Sequence, residues 1–195
     1  LKELFHKEQV SSLGFEEDYI TYQQYNKWQS DLKPVSLQPV KGLVEELRQR
    51  KDQGEIALLR KAAQIADAGF NHILNFLKPG VKERDIALEL EYFMRQKGAS
   101  GAAFETIVAS GVRSSLPHGV ASDKILNKGD LLVLDFGAIY QGYHSDMTRT
   151  VVIGKATQEQ KKLYETVLKA QMAALEGVQV GLDYAQLDKI ARDFL

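Results

Sequence analysis

From Asp52 onward, apolar residues recur at helical spacing. Ile56, Leu59, Ala63, Ala66 and Phe70 follow a capping-box spacing formed by Asp52 and Glu55. This predicts a helix ending before Pro79-Gly80. A second helix is predicted from about Glu83 to Lys97, with Ile86, Leu90 and Phe93 inward and Gly98 closing it. The pattern then shortens to β-branched and apolar runs bounded by glycine. "FETIVASG" and "GDLLVLDFGAIY" predict strands, with a return strand from about Tyr143 to Ile153. Thr157–Gln160 and Asp183–Gln186 repeat the capping-box spacing ahead of apolar periodicity and predict two further helices. Helix, helix, strands, helix, helix describes an α+β fold, layered as α/β, with an antiparallel hairpin inside it.

Residues 1–40 are different. They mix short helical and strand signals, and Pro34 and Pro39 bias "KPVSLQPVKG" toward extended structure. We read 1–40 as the remnant of an N-terminal domain with its linker, and 41–195 as the main domain. The near-three spacing of Tyr19, Tyr22, Tyr25 and Trp28 predicts amphipathic helix packing rather than a binding stripe. The chain opens at Leu1 inside a helical pattern and stops at Leu195 inside another, so a piece of a longer protein is expected. No internal sequence repeat or low-complexity segment is visible.

Composition narrows the class. The 195 residues are 44% hydrophobic and 26% charged, which is globular. Lys plus Arg total 25 against 26 Asp plus Glu, a net charge of -1 that makes no case for nucleic acid. The longest apolar runs fall far short of the ~20 residues of a spanning helix, so no membrane role is expected. There is no cysteine, which excludes disulfides and thiolate metal sites. The opening residues lack a secretory-signal pattern, and a cytoplasmic location is expected.

Two aspartates then need an explanation. Asp135 follows the apolar run Leu131-Leu132-Val133-Leu134, and Asp146 lies in the return limb. If Gln141-Gly142 forms a two-residue turn, Tyr140 opposes Tyr143, Gly137 opposes Asp146 and Asp135 opposes Thr148. The aspartates then share one face as diagonal neighbours, at roughly 7–8 Å between Cα atoms. A three-residue turn or a bulge would put them on opposite faces. Converging carboxylates must share a proton, pair with a cation or hold a metal. Oxygen ligands suit Mn or Mg, and also Co or Zn when a histidine joins them. Thr148 is placed to orient one carboxylate. The competing reading is two exposed strand or turn residues, one paired with Arg149, although Arg149 has the parity of the other face. His144 shares the face of Asp146 but lies nearer the turn, and is read as a partly exposed residue rather than a ligand. By itself, His118 in "SSLPHGVASD" reads as an ordinary loop histidine. His6 and His72 carry no motif and are read as structural or surface residues.

"LDFGAIYQGYHSDMTRT", with "LPHG" upstream, resembles the pita-bread metallopeptidases: methionine aminopeptidase, aminopeptidase P, Xaa-Pro dipeptidase (prolidase) and the related creatinase. The "SDMTRT" form looks most like the bacterial aminopeptidase P and prolidase branch. The resemblance runs from about residue 40 to 195. It implies the first pseudo-symmetric half of a pita-bread fold, preceded by a remnant of an N-terminal α/β domain. It also implies a site for two divalent ions, Mn first and Co or Zn next, held by two Asp, one His and two Glu. Asp135 matches the first aspartate and Asp146 the bridging one. His118 matches a histidine that contacts substrate rather than metal. The other His and the two Glu belong to the family's second half, and no histidine follows His144 in this sequence.

The implied activity is hydrolysis of the bond between an N-terminal residue and proline in di- or oligopeptides, by a homodimer. Two carboxylates alone make a poor site, so the 195-residue chain by itself is expected to be inactive. A creatinase-type, metal-independent hydrolase and a non-catalytic binding module of the same fold are the competing functions. Retention of both aspartates argues against each.

Overall fold

A computed structural model describes residues 2–194. Leu1 and Leu195, on which the reading of the chain ends rests, lie outside the described residues. The chain divides into two compact units after Gly54.

The first unit contains α1 (Lys2–Lys7), β1 (Ser12–Glu16), α2 (Tyr22–Asp31), β2 (Ser36–Val40) and α3 (Leu43–Gln49). β1 and β2 pair in parallel from Ser12↔Ser36 to Glu16↔Val40, with α2 as the crossover. The segment read as extended from its prolines is therefore a strand. Pro39 is tolerated because a two-stranded sheet has only edges. Thr21 caps α2 by accepting from the Gln24 amide at 3.2 Å. The aromatic spacing there does not form a packed stripe. Tyr25 meets Phe15, with ring centroids 5.4 Å apart, whereas Tyr19 and Tyr22 are exposed. Tyr19 precedes the helix and never joins its face.

The second unit is built on α4 (Gln53–Ile73), α5 (Glu83–Gln96), β3 (Gly101–Ala102), β4 (Ile107–Ser110), β5 (Leu131–Phe136), β6 (Ala138–Tyr140), β7 (Tyr143–His144), β8 (Met147–Val152), α6 (Gln158–Gly177) and α7 (Tyr184–Arg192). Two antiparallel sheets result, β4-β5-β8 and β3-β6-β7. Along β5, Leu132, Leu134 and Phe136 are buried while Leu131, Val133 and Asp135 are only partly so. The buried set joins Ile65 and Ile73 of α4 and Ile86, Leu90 and Met94 of α5 in one core. Asp135 therefore points away from the helix layer.

The inward face of α4 is rotated from the face expected. Ala62, Ile65, Ala66, Gly69 and Ile73 are buried, whereas Ile56, Leu59, Ala63 and Phe70 are only partly covered. Small residues explain the shift. A Cβ on Gly69 would stand 3.1 Å from both Leu90 Cδ1 and Met94 Cγ, so α5 comes too close for larger side chains along that seam. Met94 joins the core, while Phe93 is partly covered and stacks on His72, with centroids 3.9 Å apart. That stacking gives His72 a structural place, supported by a 2.6 Å contact with Glu89. The Thr157–Gln160 capping box forms in full at α6, and Asp183 caps α7 at the Ala185 amide. Only Ala170 of α6 is buried, and Leu163, Val167 and Leu175 leave an apolar face open. No described helix is long and apolar enough to cross a membrane.

The predicted hairpin is present but bent. Gln141 and Gly142 form its turn, both with positive φ (48° and 83°), as a two-residue type I′ connection requires. Each expected long strand is interrupted, at Gly137 on one side and at Ser145-Asp146 on the other. A Cβ on Gly137 would sit 1.9 Å from the Ser145 carbonyl oxygen, so only glycine admits this approach. The Ser145 amide donates to Ala138 O at 3.0 Å, and the Ala138 amide donates to Ser145 Oγ at 3.0 Å. Replacing Gly137 with Ala is expected to destabilise the fold by about 3 kcal/mol through forced backbone displacement. Gly142→Ala, in open space, is expected to cost only about 1 kcal/mol through its positive φ. Denaturant melts of the two variants would check that order.

Candidate metal centre

The register places the two aspartates as the hairpin pattern demands. Tyr140 faces Tyr143, Asp135 faces Thr148 and Phe136 faces Met147, so the same pairing holds on both sides of the bend. Thr148 Oγ1 donates to Asp135 Oδ1 at 3.0 Å and fixes its orientation. Arg149, of opposite parity, leaves this face. It lies 3.8 Å from Asp67 and over the ring of Phe70, both on α4. It is therefore not the cation that neutralises the aspartates.

Asp135, Asp146 and His118 line one cleft of about 430 Å³ together with Phe104, Glu105, Ile107 and Val120. Burial holds the Asp135 carboxyl above the usual range. The Thr148 hydrogen bond opposes that shift, and the neighbouring Asp146 charge adds to it. His118 acts in the opposite sense from Asp146, which places its ring within electrostatic reach of Asp135. His144 is exposed on β7 and is not among the residues lining the cleft. Among the described residues, no group of three or more His, Asp or Glu side chains is gathered to hold a metal.

The chemistry of the donor set still fits a divalent cation. Two adjacent carboxylates, one held at a raised pKa by burial and by its neighbour, form a site whose lining residues include no Lys or Arg to offset their charge. A divalent ion would relieve that repulsion, with Asp135 and Asp146 as two of its ligands. Sequence reasoning did not find the apolar walls Phe104, Ile107 and Val120, nor Glu105. The strand signal of "FETIVASG" is local, but the approach of Phe104, Glu105, Ile107 and the later Val120 to β5 exists only in the folded sheet, and no local pattern marks it.

Comparison with known proteins identifies the family. The sequence pattern of metallopeptidase family M24 matches residues 57–195, and that of the creatinase/prolidase N-terminal domain matches residues 1–50. The chain belongs to metallopeptidase family M24. It is 46% identical over 186 residues to the uncharacterised peptidase YqhT of Bacillus subtilis, covering 95% of this chain and 53% of that protein. It is 41% identical over 188 residues to an Xaa-Pro dipeptidase of Pyrococcus horikoshii, covering 96% of this chain and 53% of that one. The solved X-Pro aminopeptidase of Thermotoga maritima superposes with a TM-score of 0.96 at 38% identity, over 99% of this chain and 55% of that structure. The chain thus spans about half the length of the curated relatives it matches. Its fold is that of the pita-bread prolidases, with a creatinase-like N-terminal portion. Members of family M24 use divalent metals.

Neutralising one carboxylate should stabilise the metal-free chain of this M24 member. Asp135→Asn is expected to raise its stability by about 0.5–1 kcal/mol while abolishing any stabilisation by Mn²⁺. Thermal melts of both proteins with and without Mn²⁺ read the two effects separately. A lower melting temperature for the metal-free variant would contradict the repulsion argument.

Proposed function

We propose that this chain supplies the Asp135, Asp146 and His118 part of a metal-dependent exopeptidase that cleaves between an N-terminal residue and proline. The observation that carries this reading is the meeting of two carboxylates and a histidine in one apolar-walled cleft. Family membership and the names of the relatives, an Xaa-Pro dipeptidase and an X-Pro aminopeptidase, support the substrate class.

In this reading Asp135 and Asp146 would hold two divalent ions, Mn²⁺ first and Co²⁺ or Zn²⁺ next, together with ligands from a second half of the site. When bound, such ions make hydroxide available near neutral pH and polarise the scissile carbonyl. Thr148, through its hydrogen bond to Oδ1, fixes the orientation of the Asp135 carboxylate. His118 donates a hydrogen bond to the negative charge that develops on the carbonyl oxygen, an interaction stronger in the transition state than in the bound substrate. Phe104, Ile107 and Val120 cover apolar parts of the peptide and thin out water around the reacting bond. We place the protein in the cytoplasm, in keeping with a sequence free of cysteine, and propose that it works as a homodimer.

The 195-residue chain by itself binds metal weakly and is inactive, because two carboxylates without a third gathered ligand are a poor site. Calorimetry with Mn²⁺ on this chain and on a protein extended by the second half of the M24 fold tests this, with Asp146→Asn as control in both. The expected result is tight binding and Xaa-Pro hydrolysis by the extended wild type alone. His118→Ala in that protein is expected to lower kcat about 100-fold with little change in Mn²⁺ affinity. Absence of Mn²⁺ binding in the extended wild type would sink the metallopeptidase reading. Parallel assays on Xaa-Pro dipeptides and longer peptides separate dipeptidase from aminopeptidase.

A further inference from the structure

Glu83 is the first residue of α5 and is completely buried. An ionised carboxylate in such a place is costly unless its lone pairs are filled by donors. Here they are filled from one stretch of chain. Glu83 Oε1 accepts from the amide and the hydroxyl of Ser110, each at 2.8 Å. Glu83 Oε2 accepts from the hydroxyl of Ser122 at 2.6 Å and its amide at 3.2 Å. Arg113 Nε stands 3.1 Å from the same oxygen as an ion contact, and Arg113 Nη2 donates to Val120 O at 2.6 Å.

Those donors bracket His118. Ser110 ends β4, and a 3₁₀ turn (Gly111–Ser115) leads into the loop that Ser122 closes. The backbone repeats the grip, since the Glu83 amide donates to Lys124 O and the Arg84 amide to Ser122 O, both at 3.0 Å. These are amides of the first turn of α5, which have no partner within the helix. Outside the carboxylate, Lys124 Nζ donates to Ser110 Oγ at 2.6 Å and pairs with Asp130 at 2.8 Å. The Ser110 hydroxyl thus both gives and receives. Gly119 lies so close to β4 that a Cβ there would stand 2.7 Å from Ala109 Cβ. His118 itself is exposed, so its place comes from the loop backbone rather than from contacts that enclose its ring.

We infer that Glu83 is a positioning residue: one buried carboxylate ties both ends of the 110–122 loop together and so sets where His118 stands over the aspartate pair. This rests on the role proposed for His118. A buried ion network of this kind is seldom the most stable filling for its volume, and an apolar side chain would often serve stability as well. An apolar side chain could not hold Ser110, Arg113 and Ser122 at once. What the carboxylate adds is geometric order, which matters where an atom must be held within a fraction of an ångström.

The test uses the full chain with Glu83→Gln and, as a milder second cut that guards against loss of the fold, Ser122→Ala. Hydrogen exchange and the imidazole NMR signals are read together. His118 is one of only four histidines, so His118→Asn assigns its signal. In both variants the amides of 111–122 are expected to exchange at least about ten-fold faster, with β5 and β8 keeping their protection. The His118 signal should shift and broaden while those of His6, His72 and His144 stay in place. Unchanged loop exchange, or an equal loss of protection across β5 and β8, overturns the inference. In the extended protein acting on Xaa-Pro peptides, both variants should lower kcat about ten-fold at nearly constant KM. A change confined to KM also overturns it. The two ideas fail separately, since loop exchange judges the clamp whereas Mn²⁺ binding and hydrolysis judge the peptidase reading.

Discussion

The antiparallel register of β5 on β8 is the constraint on which the site depends. Asp135 faces Thr148 because the Gln141-Gly142 turn leaves two residues between the strands. A slip of one residue would send every side chain of one strand to the opposite face, carrying Asp135 into the core or Phe136 out of it. Burial of Leu132, Leu134 and Phe136 against α4 and α5 therefore does two things at once. It holds the second unit together, and it obliges Asp135 to face the cleft. The apolar run that makes a carboxylate look misplaced in the sequence is what aims it.

The bend at Gly137 adds a second constraint. There the hairpin passes from the β4-β5-β8 sheet to the β3-β6-β7 sheet, and Asp146 lies in the interruption rather than in a strand. The pairing is carried across the gap by the Ala138–Ser145 hydrogen bonds. The result is a carboxylate freed from the regular pleat but still held in register beside another. Such a pair is poorly stabilised without a cation, and strain of this kind at a site is a common cost of function.

Around this hairpin the polar groups divide by role. Arg149, next to Thr148 in sequence, spends its charge on Asp67 and Phe70 of α4 and leaves the aspartates uncompensated. Glu83, far from the aspartates in sequence, is fully satisfied by Ser110, Ser122 and Arg113. One carboxylate is filled and buried, whereas Asp135, with a single bond from Thr148, and Asp146 line the open cleft. The contrast separates a carboxylate held by its neighbours from the two that we propose as metal ligands.

Much of this was legible in the sequence. The period of two in the hairpin, its two-residue turn and the parity of Asp135, Thr148 and Arg149 are local properties, and short-range sterics preserve them in any fold that buries one face. Helix starts at Thr157 and Asp183 were equally local, since a capping side chain reaches only the next few amides. The motif "LPHG" with "SDMTRT" carried the family resemblance. Other features belonged to tertiary structure alone. The inward face of α4 turned toward Ala62, Ala66 and Gly69 because α5 approaches there, and periodicity cannot report a neighbour's distance. Tyr19 and Tyr22 kept a suggestive spacing yet remained exposed, since no surface covers them. The junction of His118 with the aspartates, and of Glu83 with Ser110 and Ser122, required β4 to lie on β5 and α5 to begin beside Ser110 and Ser122. Hydrogen bonds and field effects act over a few ångströms of space, whatever the separation along the chain. The sequence by itself therefore determined which groups could share a face, and only the packing of helices on the sheet decided which of them meet.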